Sequence, residues 1–517
     1  MKIIFTFFLF FIFLFLNAQP IIEWQNNYGG TSDDFGPVVL KTTDGGLFIA
    51  VSSNSNDNNI IGNHGFYDVC VVKTNSSGDI EWQKCYGGSL SEFVNKMIQC
   101  SDGNFILVGS AQSIDGDITG NKGNADVCIL KINTSGDIVW QKTYGGSDNE
   151  TGNNIIETAD GNLWIIGQTE SYDGDATLSY GSTDIWLLKL SSNGNLLWQK
   201  NFGGSADDYG KAIAEVDSNN FIIAGYTYSN DHDILSHYGS TQNCDFIAIK
   251  INSTGNVIWS KNFGGNENDN LSGMIKMNDK GFLLYGISAS DNGNLTENKG
   301  YLDGWIIKIN SEGNVQWQKS VGGSEDDYLY SIIQNSDECL YAVGSTSSSD
   351  GDITTTVKGD HDAWMLKLNS SGPVQWSTTF GGTLVDDANS VTFMEDGTAV
   401  VASSTTSSDG DVTANFGMLD LWLVKMSNLS SIKNISELNN EIILYPNPAK
   451  DEVQIAFPFS NMNIEISVLT IDGKIILQKN ILQTKIETID ITGISAGIYW
   501  LRIFTKEKNI YKKLTVF

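Results

Sequence analysis

Seven copies of one short phrase, spaced almost evenly along the chain, constrain the fold more than any other feature. Each copy contains a tryptophan followed by Gly-Gly and a polar or acidic stretch, as in "IVWQKTYGGSDNE" (138–150). The intervals between consecutive tryptophans are 58, 58, 58, 61, 58 and 59 residues. Chance does not produce such spacing, so the sequence predicts an array of structural repeats. The seven tryptophans are Trp24, Trp82, Trp140, Trp198, Trp259, Trp317 and Trp376.

Each repeat contains four strand-like segments. In the second repeat they are "VNKMIQC", "FILVGSA", "ADVCILKIN" and "IVWQKTYGG". The turns "SDGN" and "TSGD" follow the first and third segments, and Asp-Gly or Ser-Gly pairs of this kind are typical of tight hairpins. Four antiparallel strands joined by two tight turns and one long loop predict a propeller blade.

The two ends of the array complement each other. The chain begins with a lone tryptophan strand, "IIEWQNNYGG", and its last repeat ends at Lys425 without one. Pairing these ends closes a ring and removes two exposed sheet edges. The sequence therefore predicts an all-β protein with a seven-bladed β-propeller over residues 20–426, closed by the N-terminal strand. An open β-solenoid is the competing interpretation, but the repeats are too long for usual solenoid coils.

The repeats resemble those of seven-bladed propellers common in large secreted bacterial proteins. The resemblance rests on the Trp-Gln-Lys and Gly-Gly phrases, the Asp-Gly-Asp loops and the Asp-x-Trp strands, and it covers residues 21–426. It implies a fold and no settled activity.

Residues 1–19 predict a secretory signal peptide, with one lysine, an apolar run over residues 3–16, and Ala18 near the cleavage site. The net charge is −30, and Arg502 is the only arginine. So acidic a surface repels phosphate backbones, which argues against nucleic acid as a partner. The repeats also lack the arginine clusters that usually clamp anionic ligands.

The six cysteines do not recur once per repeat. Cys70 and Cys128 occupy the slot that holds tryptophan in other repeats, so we expect both to be buried apolar residues. Secretion permits disulfides, and Cys85–Cys100 is a conceivable pair.

The long second loops and the Gly-Gly connections fall on one face of the predicted disc and are rich in carboxylates. This density suits Ca²⁺, which takes six to eight oxygen ligands, while Asp-Gly-Asp also forms plain turns. The predicted calcium ligands are Asp115, Asp117, Asp173, Asp175, Asp350, Asp352, Asp409 and Asp411.

Enzyme signatures are sparse. The chain has four histidines and no zinc-protease, nucleophile-elbow or phosphate-loop motif, so no catalytic residue is predicted. We expect a binding protein that meets a glycan, a surface protein or Ca²⁺ with its acidic long-loop face. The alternatives are a glycan-active hydrolase that uses loop carboxylates and a structural component of the cell surface or matrix.

After a polar linker (427–441) the sequence predicts a small Ig-like β-sandwich over residues 442–517. This segment contains "YPNP" (445–448), "DGK" (472–474), "GIYWLRI" (497–503) and "KKLTV" (512–516) in this order. These phrases closely resemble the type A C-terminal sorting domain of the type IX secretion system; an adhesive Ig-like module is the alternative. The residues that carry the resemblance include Tyr445, Pro446, Asn447, Pro448, Asp472, Gly473, Gly497, Tyr499, Lys512 and Lys513.

The resemblance implies an export route. The signal peptide takes the chain to the periplasm, an outer-membrane translocon recognises the tail, and a sorting peptidase removes it. The propeller is then released or attached to surface lipopolysaccharide. We therefore expect a secreted, extracellular or outer cell-surface protein.

Overall fold

The computed structural model describes residues 20–427, 429, 443–456, 463–470, 473–482, 486–504 and 509–517. Every regular element in these ranges is a β-strand. The chain divides into two compact units, one holding Gln19–Leu429 and the other Ser430–Phe517. The predicted signal peptide and nearly all of the predicted linker lie outside the described residues.

The first unit contains seven antiparallel sheets of four strands each, named here first to seventh in chain order. The first sheet has β2 (Asp34–Lys41), β3 (Leu47–Ser53), β4 (Asp68–Thr74) and β5 (Ile80–Tyr86). The second has β6 (Glu92–Gln99), β7 (Phe105–Ala111), β8 (Asp126–Ile132) and β9 (Ile138–Tyr144). The third has β10 (Glu150–Glu157), β11 (Leu163–Thr169), β12 (Asp184–Leu190) and β13 (Leu196–Phe202). The fourth has β14 (Asp208–Asp217), β15 (Asn220–Thr227), β16 (Asp245–Asn252) and β17 (Val257–Phe263).

The remaining three sheets repeat this order. The fifth has β18 (Asp269–Lys276), β19 (Phe282–Ser288), β20 (Asp303–Ile309) and β21 (Val315–Val321). The sixth has β22 (Asp327–Gln334), β23 (Leu340–Thr346), β24 (Asp362–Leu368) and β25 (Val374–Phe380). The seventh has β26 (Asp386–Phe393), β27 (Ala399–Thr405), β28 (Asp420–Ser427) and β1 (Ile21–Tyr28).

The N-terminal strand β1 therefore supplies the fourth strand of the seventh sheet. It runs antiparallel to β28, with Ile21 opposite Ser427 and Tyr28 opposite Leu421. This pairing hydrogen-bonds the edge of β28 that would otherwise be exposed.

Buried apolar side chains form clusters between successive sheets. One cluster joins the first sheet, through Val39 and Ile49, to the seventh, through Ala402 and Leu423. Equivalent clusters join the other neighbouring sheets. Because such burial is the main source of folding free energy, each sheet depends on both of its neighbours.

The recurring tryptophan packs against the next sheet. The ring of Trp82 lies against Gly136, where a Cβ atom would come within 2.7 Å of the indole, and Gly136 has φ = 76° in a tight turn. The Tyr86 hydroxyl donates a hydrogen bond of 2.6 Å to the Gly136 carbonyl. Six of the seven tryptophans pack in this way against a glycine in the third turn of the following sheet; Trp376 does not, because β1 is the fourth strand of the seventh sheet and no third turn precedes it.

The prediction for Cys70 was wrong. Cys70 on β4 and Cys85 on β5 are directly opposite in the ladder, and they form a disulfide. Cys100 and Cys128 are free and buried. The tryptophan slot of the first sheet thus holds a cross-strand disulfide, which the spacing of the repeats did not reveal.

The C-terminal unit contains two sheets that share one apolar core, which includes Val453, Ile489, Ile466 and Leu501. One sheet has β29 (Ile443–Tyr445), β30 (Glu452–Ala456) and β33 (Ile486–Asp490). The other has β31 (Asn463–Leu469), β32 (Ile475–Leu482), β34 (Gly497–Phe504) and β35 (Asn509–Val516).

Candidate functional site

The first strand of every sheet in the first unit carries a β-bulge at the same place, near its fourth residue. A bulge leaves a residue out of the ladder and re-aims its side chain. All of these bulge residues line one cavity of about 470 Å³. We call them the inner ring: Gly36, Pro37, Asn95, Asn153, Lys211, Ser272, Tyr330 and Asn389.

The inner ring breaks the repeat. Equivalent positions hold asparagine in three sheets and proline, lysine, serine and tyrosine in the other four, whereas the tryptophans and Gly-Gly pairs are nearly uniform. Two members link neighbouring first strands: Asn95 donates to the Gly152 carbonyl (3.0 Å), and Asn153 donates to the Gly210 carbonyl (2.7 Å). The cavity wall is therefore held by hydrogen bonds between sheets as well as by strand pairing.

Tyr330 connects the cavity to a polar cluster beside it. Its hydroxyl lies 3.5 Å from Oδ1 of Asp387, and the same carboxylate oxygen lies 3.5 Å from Nε2 of His361. The carboxylate raises the pKa of the His361 imidazole above its ordinary value, and the pKa of Asp387 is lowered. No other sheet has a histidine–aspartate pair at these positions in the described chain.

Pairs of carboxylates are buried between neighbouring sheets, and these pairs recur along the chain, unlike the histidine–aspartate pair. The aspartate that opens the third strand of one sheet faces the carboxylate that opens the first strand of the next, across the first glycine of Gly-Gly. At Gly264, a Cβ atom would lie 2.1 Å from Oδ1 of Asp245 and 2.7 Å from Oδ2 of Asp269. Burial raises the pKa of both carboxyls to about 7.

The carboxylate pairs differ in how well their oxygens are hydrogen-bonded. Asp269 accepts hydrogen bonds from Gly265 N–H (2.8 Å) and from the Ser290 hydroxyl (3.0 Å). Oδ1 of Asp245, in contrast, is buried and has no hydrogen-bond partner among the described residues, like Oδ1 of Asp68, Asp126, Asp303 and Asp420. A proton on one carboxyl of a pair relieves the repulsion between the two charges, which agrees with the raised pKa.

The first aspartate of each predicted calcium loop acts as a turn cap. Asp115 accepts a hydrogen bond of 2.8 Å from the Ser89 backbone N–H. Asp173, Asp350 and Asp409 do the same with Ser147, Ser324 and Thr383, each at 2.8 Å. Each of these four carboxylates therefore lies over the Gly-Gly connection that precedes its own sheet, and the four belong to different sheets.

In three of the four loops, the second aspartate forms an ion pair with a lysine of the neighbouring sheet. Asp175, Asp352 and Asp411 form ion pairs with Lys122, Lys299 and Lys358 respectively, each from the preceding sheet. Asp117 has no lysine partner among the described residues and lines a surface groove with His64 and Tyr86. Within the described ranges, no group of three or more His, Cys, Asp or Glu side chains has an arrangement that could hold a metal ion.

In the C-terminal unit, two predicted sorting motifs that are distant in sequence meet at one place. The side-chain amide of Asn447 donates to the Lys513 carbonyl (2.8 Å), and the Thr515 N–H donates to Asn447 Oδ1 (3.0 Å). Tyr499 lies opposite Leu514 in the β34–β35 ladder. Tyr445, Pro446 and Pro448 lie next to Asn447 in the same segment of this unit. Gly473 has φ = 87°, in the left-handed region. Gly497 and Lys512 lie on β34 and β35, and Asp472 lies outside the described residues.

The sequence did not predict the inner ring, because the candidate functional residues were taken from motifs that recur in the repeats. The fourth residue of the first strands varies between Asn, Pro, Lys, Ser and Tyr, but the residues on either side of it vary as well, so the sequence does not single it out. A one-residue bulge cannot be seen in hydrophobic alternation alone.

Comparison with protein families identifies the C-terminal unit. Residues 443–517 match the family model described as a secretion system C-terminal sorting domain. The predicted type IX sorting domain is therefore confirmed, and it implies export to the cell surface or the extracellular space. In the described residues there is no helix that is long and apolar enough to span a membrane.

The repeats have more distant similarities. The regulatory protein FlaEY of Caulobacter vibrioides is 23% identical over 206 residues; the match covers 36% of this chain and 21% of that protein. This chain therefore spans about a fifth of the length of that relative.

Two solved structures are representative of the structural matches. A Dyadobacter fermentans protein of unknown function has a TM-score of 0.42 and 11% identity, covering 79% of this chain and 99% of the other. The GH93 α-L-arabinofuranosidase of Fusarium graminearum has a TM-score of 0.38 and 7% identity, covering 77% and 96%.

Proposed function

We propose that this chain is a type IX-exported protein of the cell surface or extracellular space whose repeats form a closed, seven-bladed propeller that binds a ligand. The sorting domain supports the export route. The binding half of the proposal is carried by one observation: the equivalent bulge positions of the seven first strands hold five kinds of side chain, with asparagine at three of them, and all of them line one cavity.

Ring closure is supported by contacts between the first and seventh sheets. Besides the apolar cluster that they share, the Gly36 N–H donates to the Ser404 hydroxyl (3.3 Å), and the Val39 N–H donates to the Ser390 hydroxyl (3.3 Å). These contacts resemble those between other neighbouring sheets, such as the bond from Val94 N–H to the Ser52 hydroxyl (3.1 Å). Seven blades in a ring, rather than an open stack, account for them.

The ligand of the proposed propeller is a glycan or a surface protein, with Ca²⁺ at the acidic loops as a separate candidate. Long loops beside a central cavity form the kind of concave site that binds ligands in rigid scaffolds. A hydrolase that uses two carboxylates needs both at one pocket. None of the described residues that line the central cavity is a carboxylate, so the geometry favours binding over hydrolysis.

The export half is tested by deleting residues 443–517 and locating the protein in the host bacterium. The truncated chain should remain in the periplasm, while the full chain reaches the surface or the medium. Surface display of the truncated chain would contradict the proposed route.

The binding half is tested by applying the mature chain, residue 20 onward, to an array of surface polysaccharides and to immobilised outer-membrane proteins. Saturable retention that Tyr330→Ala weakens at least tenfold supports a site at the cavity. Retention that depends instead on Asp115 and Asp117 places the site on the long-loop face. Failure of every probe favours the structural alternative.

A further inference from the structure

Most lysines of the repeats that face carboxylates are ion-paired, which follows from the large excess of acidic residues. Lysines on the third strands pair with aspartates of the first turns, as Lys131 does with Asp102 at 2.7 Å. Lysines of the long loops pair with the second loop aspartates. The lysines at these two recurring positions are Lys73, Lys131, Lys308, Lys367 and Lys425, and Lys122, Lys299 and Lys358.

Lys96 and Lys211 hold neither of these recurring positions, and they are the two lysines that line the central cavity. Neither forms an ion pair within the described residues. Lys211 lies 5.7 Å from the ring centroid of Tyr226, a cation–π distance, and Lys96 follows the bulge residue Asn95. Burial lowers the pKa of both ammonium groups. A chain with a net charge of −30 thus keeps two cations inside a cavity that offers them no anion.

The rest of the cavity lining is neutral and suits a hydroxylated ligand. Asn154, Thr151 and Ser331 supply amide and hydroxyl groups, and Phe93 and Tyr330 supply aromatic surface. Aromatic faces pack against the apolar face of a sugar ring, while amides and hydroxyls bond its hydroxyl groups. A volume of about 470 Å³ lies within the usual range for small-molecule sites.

We infer that the central cavity binds a carboxylate-bearing sugar, with Lys96 and Lys211 as its cationic contacts and the neutral wall as its contact to the sugar hydroxyls. This inference rests on the proposed binding function and names the ligand class and the site. An anion in the cavity pairs with the two half-buried ammonium groups, which have no carboxylate partner in the described residues, and a neutral sugar does not.

The experiment is isothermal titration of the mature chain with digalacturonate, galacturonate, galactose and sodium sulfate at low ionic strength. We expect saturable binding of digalacturonate or galacturonate, at least tenfold tighter than binding of galactose. Lys96→Met and Lys211→Met should each weaken uronate binding at least tenfold. Lys319→Met, on the outer strand β21 away from the cavity lining, should leave it unchanged and is the matched control.

The outcomes separate this inference from the proposed function. Equal binding of galactose and galacturonate, sulfate binding without uronate binding, or uronate binding that survives both lysine substitutions would overturn the inference. If uronates fail but another array glycan or outer-membrane protein binds the mature chain, the binding function stands and only the ligand class fails. If no probe binds, both fail together. Circular dichroism of each variant shows whether a loss of binding reflects unfolding.

Discussion

The outer shell of the repeat unit and its inner ring follow opposite rules. In the shell, a tryptophan meets a glycine, a carboxylate faces a carboxylate, and an aspartate caps a Gly-Gly connection, with the same contact at successive interfaces. In the inner ring, equivalent backbone positions hold asparagine, lysine, serine, tyrosine and proline. The same repeated backbone therefore holds residues that recur in the shell and residues that vary in the inner ring.

In a repeat protein, residues that vary among equivalent positions are better candidates for function than residues that recur. A residue that recurs at successive interfaces performs the same structural task at each of them, since each sheet must pack against its neighbour in the same way. A position that holds different residues in equivalent strands is not required for this packing between sheets. Substitutions in the shell should therefore change stability, and substitutions in the ring should change binding.

The largest expected effect comes from a shell residue. Trp186 is 1% exposed in the cluster between the second and third sheets, and its indole N–H donates to Gln199 Oε1 at 2.8 Å. Trp186→Ala removes a large buried side chain and should lower the free energy of unfolding by about 3–5 kcal/mol. Denaturant unfolding of the mature chain measures this loss.

A matched control uses the same slot of the second sheet, where the residue is Cys128 and the side chain is small. Cys128→Ala should cost less than about 1.5 kcal/mol, because little apolar surface is removed. Equal losses in the two variants would contradict the view that the shell derives its stability from the volume that fills each slot.

The buried carboxylate pairs predict an unusual dependence of stability on pH. The pKa of Asp245 and of Asp269 is about 7 in the folded protein, above the ordinary value of 3.8. Because the folded state holds these protons more tightly, their contribution to stability is fully present below about pH 4 and is lost as the pH rises through 7. Burial also raises the pKa of Asp126, Asp208, Asp327 and Asp420 to about 6.

We therefore expect a higher melting temperature at pH 5 than at pH 8. Asp245→Asn places an amide group opposite Asp269 and removes one of the two charges, so it should raise stability at pH 8 by about 1–2 kcal/mol. It should also reduce the difference between the two pH values. A melting temperature that is higher at pH 8 in both proteins would refute this account of the pairs.

Much of the shell could be predicted from the sequence, because period and turn chemistry are local signals. The spacing of the tryptophans and the Asp-Gly turns predicted repeated four-stranded sheets, and these are present. The disulfide between Cys70 and Cys85 could not be predicted, since it depends on the register of two strands rather than on the spacing of the repeats.

The candidate site was less predictable for a physical reason. The acidic loops were predicted to bind calcium because carboxylates bind metals. A carboxylate can equally accept a hydrogen bond from a backbone N–H, as Asp115 does, or pair with lysine, as Asp175 does. These alternatives differ only in three-dimensional contacts. The inner ring depends on a backbone bulge, which side-chain periodicity does not encode.

A substitution in the cavity lining should not lower stability. Lys96 lines the cavity next to the bulge residue Asn95, is half-buried and makes no ion pair in the described part of the chain. Lys96→Met keeps the alkyl chain and removes a charge that burial disfavours, so the free energy of unfolding should not fall and should rise by up to about 1 kcal/mol. The same denaturant measurement used for Trp186→Ala checks this. A loss comparable to that of Trp186→Ala would place Lys96 in the structural shell and erase the contrast between the regions.

The smallest expected effect is that of calcium on the long loops. At Asp175, Asp352 and Asp411 a cation must compete with a lysine already paired to the carboxylate, which weakens binding. Asp117 forms no such ion pair in the described residues, so the calcium effect on the acidic loops should depend on Asp117. At a Ca²⁺ concentration near its dissociation constant, a single site adds only about 0.4 kcal/mol, or about 0.5 °C in melting temperature. Asp117→Asn should abolish the rise, and Mg²⁺ should not reproduce it. A rise of several degrees that survives Asp117→Asn would instead mean that calcium displaces the lysines from the other loops, and the acidic loops would then join the inner ring as functional residues.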